Sequence, residues 1–296
     1  MLLGTRDSFT YLECGQCGCV QLLQVPADIA KYYPPNYYSF QEHGWIKTFI
    51  RRQWSAYAYG HKNLIGWALT KVMFPNLGLE TIRRAGIPKT ARILDVGCGS
   101  GRLLLDLQHL GFTSLTGADP FIGSDLNYQN GVKVYKRSLA EMTGEYDLIT
   151  FHYSFEHMDK PAEIMYHAQR LLSVDGVAII RIPVASSYAW QKYGISWFNL
   201  DPPRHFFIHT YKSIELLAKQ VGLKITHTVQ EGGGATFWYS EDYQRDIPAN
   251  DPRFIGSSYF KKLRNWKLIR SCHAKSEEAN LKGESDLVGF FLRKAI

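Results

Sequence analysis

Three histidines stand in segments that follow predicted strands, where enzymes built on parallel sheets place their reacting groups. His152 and His157 follow the fourth predicted strand, and His205 follows the fifth within Asp201-Pro202-Pro203-Arg204-His205. Because imidazole titrates near neutral pH, each histidine is a candidate base for removing a proton from a substrate hydroxyl. For His157 the alternative is that Glu156-His157 orders its loop, and for His205 that it binds the substrate.

A glycine-rich loop, Gly97-Cys98-Gly99-Ser100-Gly101, joins the first predicted strand to a predicted helix, and Asp119 ends the next strand. Glycines let a backbone turn sharply and approach a ligand, and an acid in that place can accept hydrogen bonds from ribose hydroxyls. The dinucleotide-binding fingerprint G-x-G-x-x-G would require a glycine at position 102, where the chain has Arg102. The negative charge of Asp95 would also repel the pyrophosphate of a dinucleotide. The loop therefore predicts a site for a cationic nucleoside rather than for NAD.

Short apolar runs that alternate with helical patterns predict the sheet that must position these residues. The predicted strands are 92–96, 114–119, 132–135, 146–151, 177–182, 224–229 and 286–292. Three helices are predicted. The first follows the glycine loop, the second begins at Pro161 and is closed by Gly176, and the third runs from Ser213 to Gly222. Such alternation indicates an α/β fold with a mostly parallel sheet and helices on both faces.

Several of these segments together resemble class I S-adenosylmethionine (SAM)-dependent methyltransferases. Ile93 to Gly101 resembles the first motif of that family, Gly117 to Pro120 the second, and Tyr146 to Asp159 the fourth-strand segment. Arg170 to Gly176 resembles the turn before strand five, with Val174-Asp175 in place of the usual Pro-Gly. The resemblance implies a doubly wound, Rossmann-like, seven-stranded, mostly parallel sheet. The implied order is 3-2-1-4-5-7-6 with an antiparallel last strand, plus helical additions at both ends.

The same resemblance implies an enzyme that uses SAM and releases S-adenosylhomocysteine (SAH), and it implies which residues hold the cofactor. The implied cofactor residues are Asp95, Gly97, Cys98, Gly99, Gly101, Asp119, Pro120, Leu139, Ala140, Phe151 and His152. Within this set, Asp119 would bind the ribose hydroxyls and Asp95 would orient the amino end. Leu139 and Ala140 would lie near the adenine, and the segment from Phe151 would flank the methyl donor.

The segment Asp201 to His205 resembles the D-x-P-R-H element of a methyltransferase subgroup whose acceptors are often sugars or small glycoconjugates. Arg204 would bind an anionic acceptor there, or pair with Asp201. The preceding aromatic residues form either an acceptor-pocket wall or a core or dimer contact; they are Tyr188, Trp190, Tyr193, Trp197 and Phe198. We therefore predict O- or C-methylation of a small sugar or glycoconjugate. The alternatives are a quinone or phenol O-methyltransferase and a non-catalytic SAM-binding partner protein, with an RNA methyltransferase third.

The cysteine cluster of Cys14, Cys17 and Cys19 resembles half of the zinc ribbon that precedes the core in this subgroup. Structural zinc sites have four ligands. Besides Cys14 and Cys17, the candidates for the other two ligands are Cys19 and His43, and their spacing is atypical. We therefore predict no bound metal, with a partial zinc site as the alternative. The five cysteines are odd in number and do not form a disulfide framework. We see neither a secretory signal nor a membrane span, so we expect a cytoplasmic protein.

Charge and composition divide the 296 residues into three regions. Hydrophobic residues make up 45% and charged residues 21%, which excludes a disordered chain. We predict a cysteine-containing, aromatic-rich region at 1–85, a SAM-binding core at 86–232 with 285–296, and a basic insertion at 233–284.

The formal net charge of +7 is concentrated between Pro252 and Ser276, which holds seven basic residues and no acid. Tyr259, Leu263 and Trp266 lie there at helical spacing and predict a basic amphipathic helix. Such a helix suits a phosphate-bearing acceptor or an anionic membrane surface, or is simply solvated. We do not expect nucleic acid as a partner, and the oligomeric state stays open.

Overall fold

A central sheet collects the apolar runs that recur along the sequence. The structure is a computed structural model and describes residues 4–33, 45–72 and 77–295. The strands in these ranges are β1 (Tyr11–Glu13), β2 (Val20–Leu22), β3 (Arg92–Val96), β4 (Ser114–Ala118), β5 (Leu126–Asn127), β6 (Lys133–Tyr135), β7 (Tyr146–His152), β8 (Leu172–Pro183), β9 (Phe207–Ile208), β10 (Leu223–Gln230) and β11 (Leu287–Lys294). Eight of them pair in the order β10-β11-β8-β7-β3-β4-β6-β5.

This order confirms the predicted α/β class. The seven predicted strands correspond to β3, β4, β6, β7, β8, β10 and β11, and they follow the order 3-2-1-4-5-7-6. Strands β6, β4, β3, β7 and β8 run parallel, whereas β11 runs antiparallel to both β8 and β10. The difference is an eighth strand, because β5 adds two residues antiparallel to β6 at the edge.

Helices cover both faces of the sheet. In the described ranges they are α1 (Trp45–Ala58), α2 (Leu64–Val72), α3 (Leu77–Arg84), α4 (Arg102–His109), α5 (Pro161–Leu171), α6 (Tyr188–Tyr193), α7 (Tyr211–Gln220), α8 (Gly234–Gln244), α9 (Tyr259–Arg264) and α10 (Trp266–Lys282). Helices α5 and α7 pack with Phe290 on one face, and α3 and α4 pack with Phe291 on the other. Successive residues of a strand point to opposite faces, so the last strand contributes to both cores. None of the described helices is long and apolar enough to cross a membrane.

The helix that begins at Pro161 ends earlier than the sequence predicts. Pro161 stands in its first turn, as expected from its fixed φ. The helix ends at Leu171, and β8 begins at Leu172, which is fully buried and pairs with Tyr146. Gly176 therefore lies inside the extended segment and does not close the helix. The burial of Leu172 against the sheet outweighs the glycine signal.

The basic insertion forms helices on a third core instead of one amphipathic helix. The predicted helix is divided into α9 and α10 at Asn265, and α8 was not predicted. Tyr193 and Trp197 are buried in this core with Trp238, and the Trp197 indole nitrogen donates to Thr236 Oγ1 at 3.1 Å. Two of the aromatic residues before Asp201 therefore pack in a core, which is one of the two alternatives the sequence left open.

A second sheet of three strands, which the sequence does not predict, joins the two halves of the chain. Strands β1 and β2 form an antiparallel hairpin, and β2 pairs with β9 through Val20 opposite Ile208. Since β9 begins two residues after His205, this sheet fixes the position of the candidate histidine.

Candidate active site

The glycine loop adopts a backbone that favours glycine. Gly97, Gly99 and Gly101 have φ values of 71°, 54° and 73°, all in the left-handed region. A Cβ on Gly97 would lie 2.5 Å from the Cβ of Ser154, in the loop after β7. Ser154 Oγ in turn donates to the Val96 carbonyl at 2.7 Å. The ends of β3 and β7 are therefore held together without room for a side chain at Gly97.

The Asp119 carboxylate is fixed beside this loop. Its Oδ2 accepts from the Gly99 amide at 2.8 Å, and its Oδ1 accepts from the Phe121 amide at 2.9 Å. A carboxylate offers about four acceptor positions, so two stay available for a ligand. The arrangement fits the ribose role that the sequence assigned to Asp119. Pro120 is exposed next to it.

Asp95 lies underneath the loop as a buried carboxyl group. Thr150 Oγ1 donates to its Oδ1 at 2.8 Å. Burial raises the pKa of Asp95 to about 7, although the Thr150 hydrogen bond opposes the shift and the charge of Asp119 adds to it. A cationic group placed nearby would favour the ionised form. Asp95 is therefore suited to respond to a positively charged ligand.

The other predicted cofactor residues differ in exposure. The Cys98 side chain lies against Gly117, where a Cβ would come within 2.5 Å of its sulfur. Leu139 is buried and Ala140 is exposed, in a short 3₁₀ helix closed by a Ser138–Glu141 capping box. Phe151 is fully buried and packs edge-on to Phe155 with ring centroids 5.5 Å apart, so its ring is part of the core.

His152 ends β7 with its Nε2 buried and without a hydrogen-bond partner among the described residues. Burial lowers the pKa of His152 to about 3, with a smaller contribution from the charge of Arg181. The ring is therefore neutral at pH 7.

The segments after β7 and β8 bring Glu156, His157 and His205 together. One ligand-type atom of each residue lies within 4.8 Å of the others. The rings of His157 and His205 meet edge to face with centroids 4.8 Å apart. His205 Nε2 is 4.0 Å from Glu156 Oε1 and 3.8 Å from Asp201 Oδ2. Although neighbours in sequence rarely share a helix face, Glu156 and His157 both contribute to this cluster because they occupy a single 3₁₀ turn, Phe155–His157.

Backbone carbonyls fix both rings. His157 Nδ1 lies 2.7 Å from the Arg204 carbonyl and His205 Nδ1 lies 2.8 Å from the Asn199 carbonyl. A carbonyl only accepts, so each Nδ1 carries the proton and each Nε2 of the neutral ring has the lone pair. We call Glu156, His157 and His205 the Glu-His-His cluster.

Burial disfavours a charge on each of the three groups of the cluster. Glu156 has no solvent exposure, and burial raises its pKa to about 8. Burial, together with the neighbouring His157, holds the pKa of His205 well below its usual range, and burial also lowers the pKa of His157. Next to the cluster Arg204 forms an ion pair with Asp201, the second of the two roles that the sequence left open for Arg204.

The amino-terminal hairpin supports the cluster from behind. The Tyr11 hydroxyl donates to the His205 carbonyl at 2.9 Å. Thr210 Oγ1 donates to the Cys17 carbonyl and Lys212 Nζ to the Gln16 carbonyl, both at 2.6 Å. Sequence reasoning missed these contacts, because strands of two or three residues leave no periodic signal.

The three cysteines of the hairpin differ in solvent exposure. Cys14 is exposed, Cys17 is half-buried, and Cys19 is buried with its sulfur 3.8 Å from His209 Nδ1. His43, the other proposed ligand, lies outside the described residues. Within the described ranges, the group of three potential metal ligands is the Glu-His-His cluster and not the cysteines.

Comparison with known proteins places this site in context. The sequence profile of a family described as a methyltransferase domain matches residues 73–228. No curated protein matches the chain.

Three solved structures are similar to this chain. A cyclopropane synthase from Mycobacterium tuberculosis is 17% identical, with a TM-score of 0.46 over 73% of this chain and 82% of that one. A mycolic acid cyclopropane synthase complexed with SAH is 16% identical, with a TM-score of 0.47 over 73% and 82%. The O-methyltransferase of a trans-AT polyketide synthase from Brevibacillus brevis, also with SAH, is 12% identical, with a TM-score of 0.44 over 73% and 71%. None of them bears on the substrate of this chain.

Proposed function

Because this chain belongs to the class I SAM-dependent methyltransferase family, we propose that it methylates a small molecule, in the first place a hydroxyl or carbon of a sugar or glycoconjugate. One observation carries the proposal. The Asp201–His205 element, which resembles that of a methyltransferase subgroup with sugar acceptors, meets Glu156 and His157 beyond the ends of β7 and β8. Strand β7 pairs with β3, which leads into the glycine loop. Donor and acceptor would then meet at one edge of the sheet.

The residues present fit SAM. The left-handed glycines allow close approach, Asp119 keeps acceptor positions for the ribose, and Asp95 lies below for the cationic end. SAM supplies a methyl group that the sulfonium has already activated. The chain therefore has to align the acceptor and exclude water rather than create a reactive group.

We propose that the acceptor oxygen lies at the Glu-His-His cluster. Each histidine keeps an Nε2 lone pair because a backbone carbonyl takes the Nδ1 proton. In our proposal, His205 and His157 contact the reacting group, and His152, with its pKa of about 3, contributes orientation rather than proton transfer. The ion pair between Asp201 and Arg204 then holds the His205 turn in place.

The test is methyl transfer from radiolabelled SAM to panels of nucleotide sugars, phenols and RNA. We expect label in the sugar panel, and His205→Ala to lower turnover by about 10²-fold or more while SAM affinity stays unchanged. Label in the phenols alone would favour the quinone or phenol alternative. Unchanged turnover of His205→Ala would contradict the role of the cluster.

The basic helices motivate a second, finer proposal about the acceptor. In α9 and α10, Phe260 is 81% exposed and Trp266 is 52% exposed, and Lys261, Lys262 and Arg264 lie beside them. We propose that this surface attracts an acceptor that carries phosphate. The triple Lys261→Gln, Lys262→Gln, Arg264→Gln variant should raise the KM for a phosphorylated acceptor and leave that for its neutral analogue unchanged. Binding to anionic vesicles instead would indicate a membrane contact.

We also propose that the protein is located in the cytoplasm.

A further inference from the structure

We propose that the Glu-His-His cluster binds a divalent transition-metal ion through Glu156, His157 and His205, and that the histidines contact the acceptor oxygen through this ion rather than directly. The metal site does not depend on the identity of the acceptor. Only the second part rests on the proposed function.

The three side chains lie close enough together to share one ion. The three ligand-type atoms lie within 4.8 Å of one another, so small side-chain rotations bring them around one ion. They come from two backbone segments that are fixed to each other, because the His157 ring donates to the carbonyl of Arg204, the residue before His205.

Both histidine rings have the orientation that metal ligands have. Histidines that bind metals donate their other ring N–H to a carbonyl or carboxylate, which fixes the ring and its tautomer. Both histidines of the cluster do this, with Nδ1 at 2.7 Å and 2.8 Å from backbone carbonyls. Each neutral ring then offers Nε2 as a ligand.

The Glu156 carboxyl group is the third potential ligand. It has no solvent exposure, and neither oxygen has a hydrogen-bond partner among the described residues. Buried polar oxygens are rarely left without a partner. At 4.0 Å, His205 Nε2 is too far from Oε1 for a hydrogen bond, whereas a metal ion between the two atoms would bind both.

The donor set decides the class of ion. Two imidazoles and one carboxylate suit zinc, cobalt, iron or manganese better than magnesium or calcium, which prefer oxygen ligands alone. Three protein ligands leave coordination positions open, which is the pattern of catalytic rather than structural sites. Asp201 is close to His205 but forms the ion pair with Arg204, so the open positions fall to water or to an acceptor oxygen.

The test uses the full-length protein, stripped with a chelator and titrated with Zn²⁺ by calorimetry and with Co²⁺ by visible absorption. We expect one ion per chain and a cobalt spectrum of nitrogen and oxygen ligands without thiolate charge-transfer bands. His205→Ala, His157→Ala and Glu156→Gln should each weaken Zn²⁺ binding by at least about tenfold. His227→Ala, a histidine distant from the cluster in the sheet, is the matched control and should bind Zn²⁺ as the wild type does.

Two further measurements keep the result interpretable. SAM binding by each variant shows that it is folded, and Glu156→Gln preserves the side-chain volume if an alanine variant fails to fold. A Cys14→Ser, Cys17→Ser variant should retain the ion. Loss of binding in that variant, thiolate bands, or a stoichiometry well below one ion per chain in the wild type would overturn the proposal.

Activity separates this inference from the proposed function. An ion that binds at the cluster in a protein that methylates no sugar would leave the metal site intact and reject the acceptor. Sugar methylation that is unaffected by chelators and by added Zn²⁺ would keep the acceptor and reject the role of the ion in holding it.

Discussion

The glycine loop and the Glu-His-His cluster lie at the same edge of the sheet, but the chain builds them differently. The loop is one contiguous segment whose partner, Asp119, directly follows β4. The cluster joins a turn after β7 to a turn after β8, and the amino-terminal hairpin supports it through Tyr11. The loop, which is the proposed cofactor end, is therefore specified by local sequence. The cluster, which is the proposed acceptor end, depends on contacts between distant parts of the chain.

The sharpest way to break this comparison is to damage the cofactor end alone. Asp119→Ala removes the acceptor of the Gly99 and Phe121 amides and, in our proposal, of the ribose hydroxyls. Hydrogen bonds to charged groups contribute about 1.5–3 kcal/mol each, so loss of two to the ligand should weaken SAM binding by about 10²-fold or more.

Calorimetry with SAM measures that change. The control is Asp175→Ala, which replaces an exposed acid near the start of β8. Metal binding at the cluster should be unaffected by Asp119→Ala. A loss of both SAM and metal binding would show that the two ends are not independent.

A second substitution tests the steric contact that joins the two regions. Gly97→Ala would place its Cβ 2.5 Å from Ser154, whereas Gly131, also in the left-handed region, has open space around it. Both alanines carry the backbone strain, and only the first carries the collision. In urea unfolding we expect Gly97→Ala to lose more stability than Gly131→Ala, by about 1–3 kcal/mol. Equal losses would mean that the loop tolerates a side chain against Ser154.

The pH dependence of SAM binding tests the proposed cofactor end by a smaller change, the protonation of one carboxyl group. The pKa of Asp95 is about 7, and the cationic ligand favours its ionised form, so affinity should rise with pH. Between pH 6 and 8 the ionised fraction of a group of pKa 7 grows about tenfold, which bounds the gain in affinity. The Asp95→Asn variant reports any titration of SAM itself. If wild type and variant change in parallel with pH, Asp95 does not sense the ligand.

The sequence predicts best what neighbouring residues decide. The run Arg92–Val96, the glycines after it and Asp119 gave the first strand, the loop and its acid, because strand, turn and ligand contact lie within one βαβ unit. The family resemblance implied the position of this first strand in the sheet, and the structure confirms it.

The rest depends on tertiary contacts that leave no local pattern. The pairing of Val20 with Ile208 is too short for periodicity, and it is what joins the hairpin to the His205 turn. Leu172 continues the sheet where Gly176 suggested a helix end, because burial decides the boundary. Likewise, the sequence offered His157 and His205 as separate candidates and Glu156 only as a residue that orders its loop, and the fold makes the three one cluster.

The smallest expected effect probes the acceptor end through its remote support. Tyr11→Phe removes the hydroxyl that donates to the His205 carbonyl at 2.9 Å and leaves the ring in place. One such hydrogen bond contributes about 0.5–1.5 kcal/mol to the stability of the fold. It supports the backbone behind the ring, so only part of this free energy reaches the site, and the acceptor KM and the Zn²⁺ affinity should each change by a few-fold. Tyr166→Phe, whose ring is half exposed on α5, is the matched control. SAM affinity should be the same in both variants, because the hydrogen bond that is lost ends on the His205 carbonyl. A change in SAM affinity with Tyr11→Phe would mean that the hairpin also supports the glycine loop, and the two regions would then form a single unit.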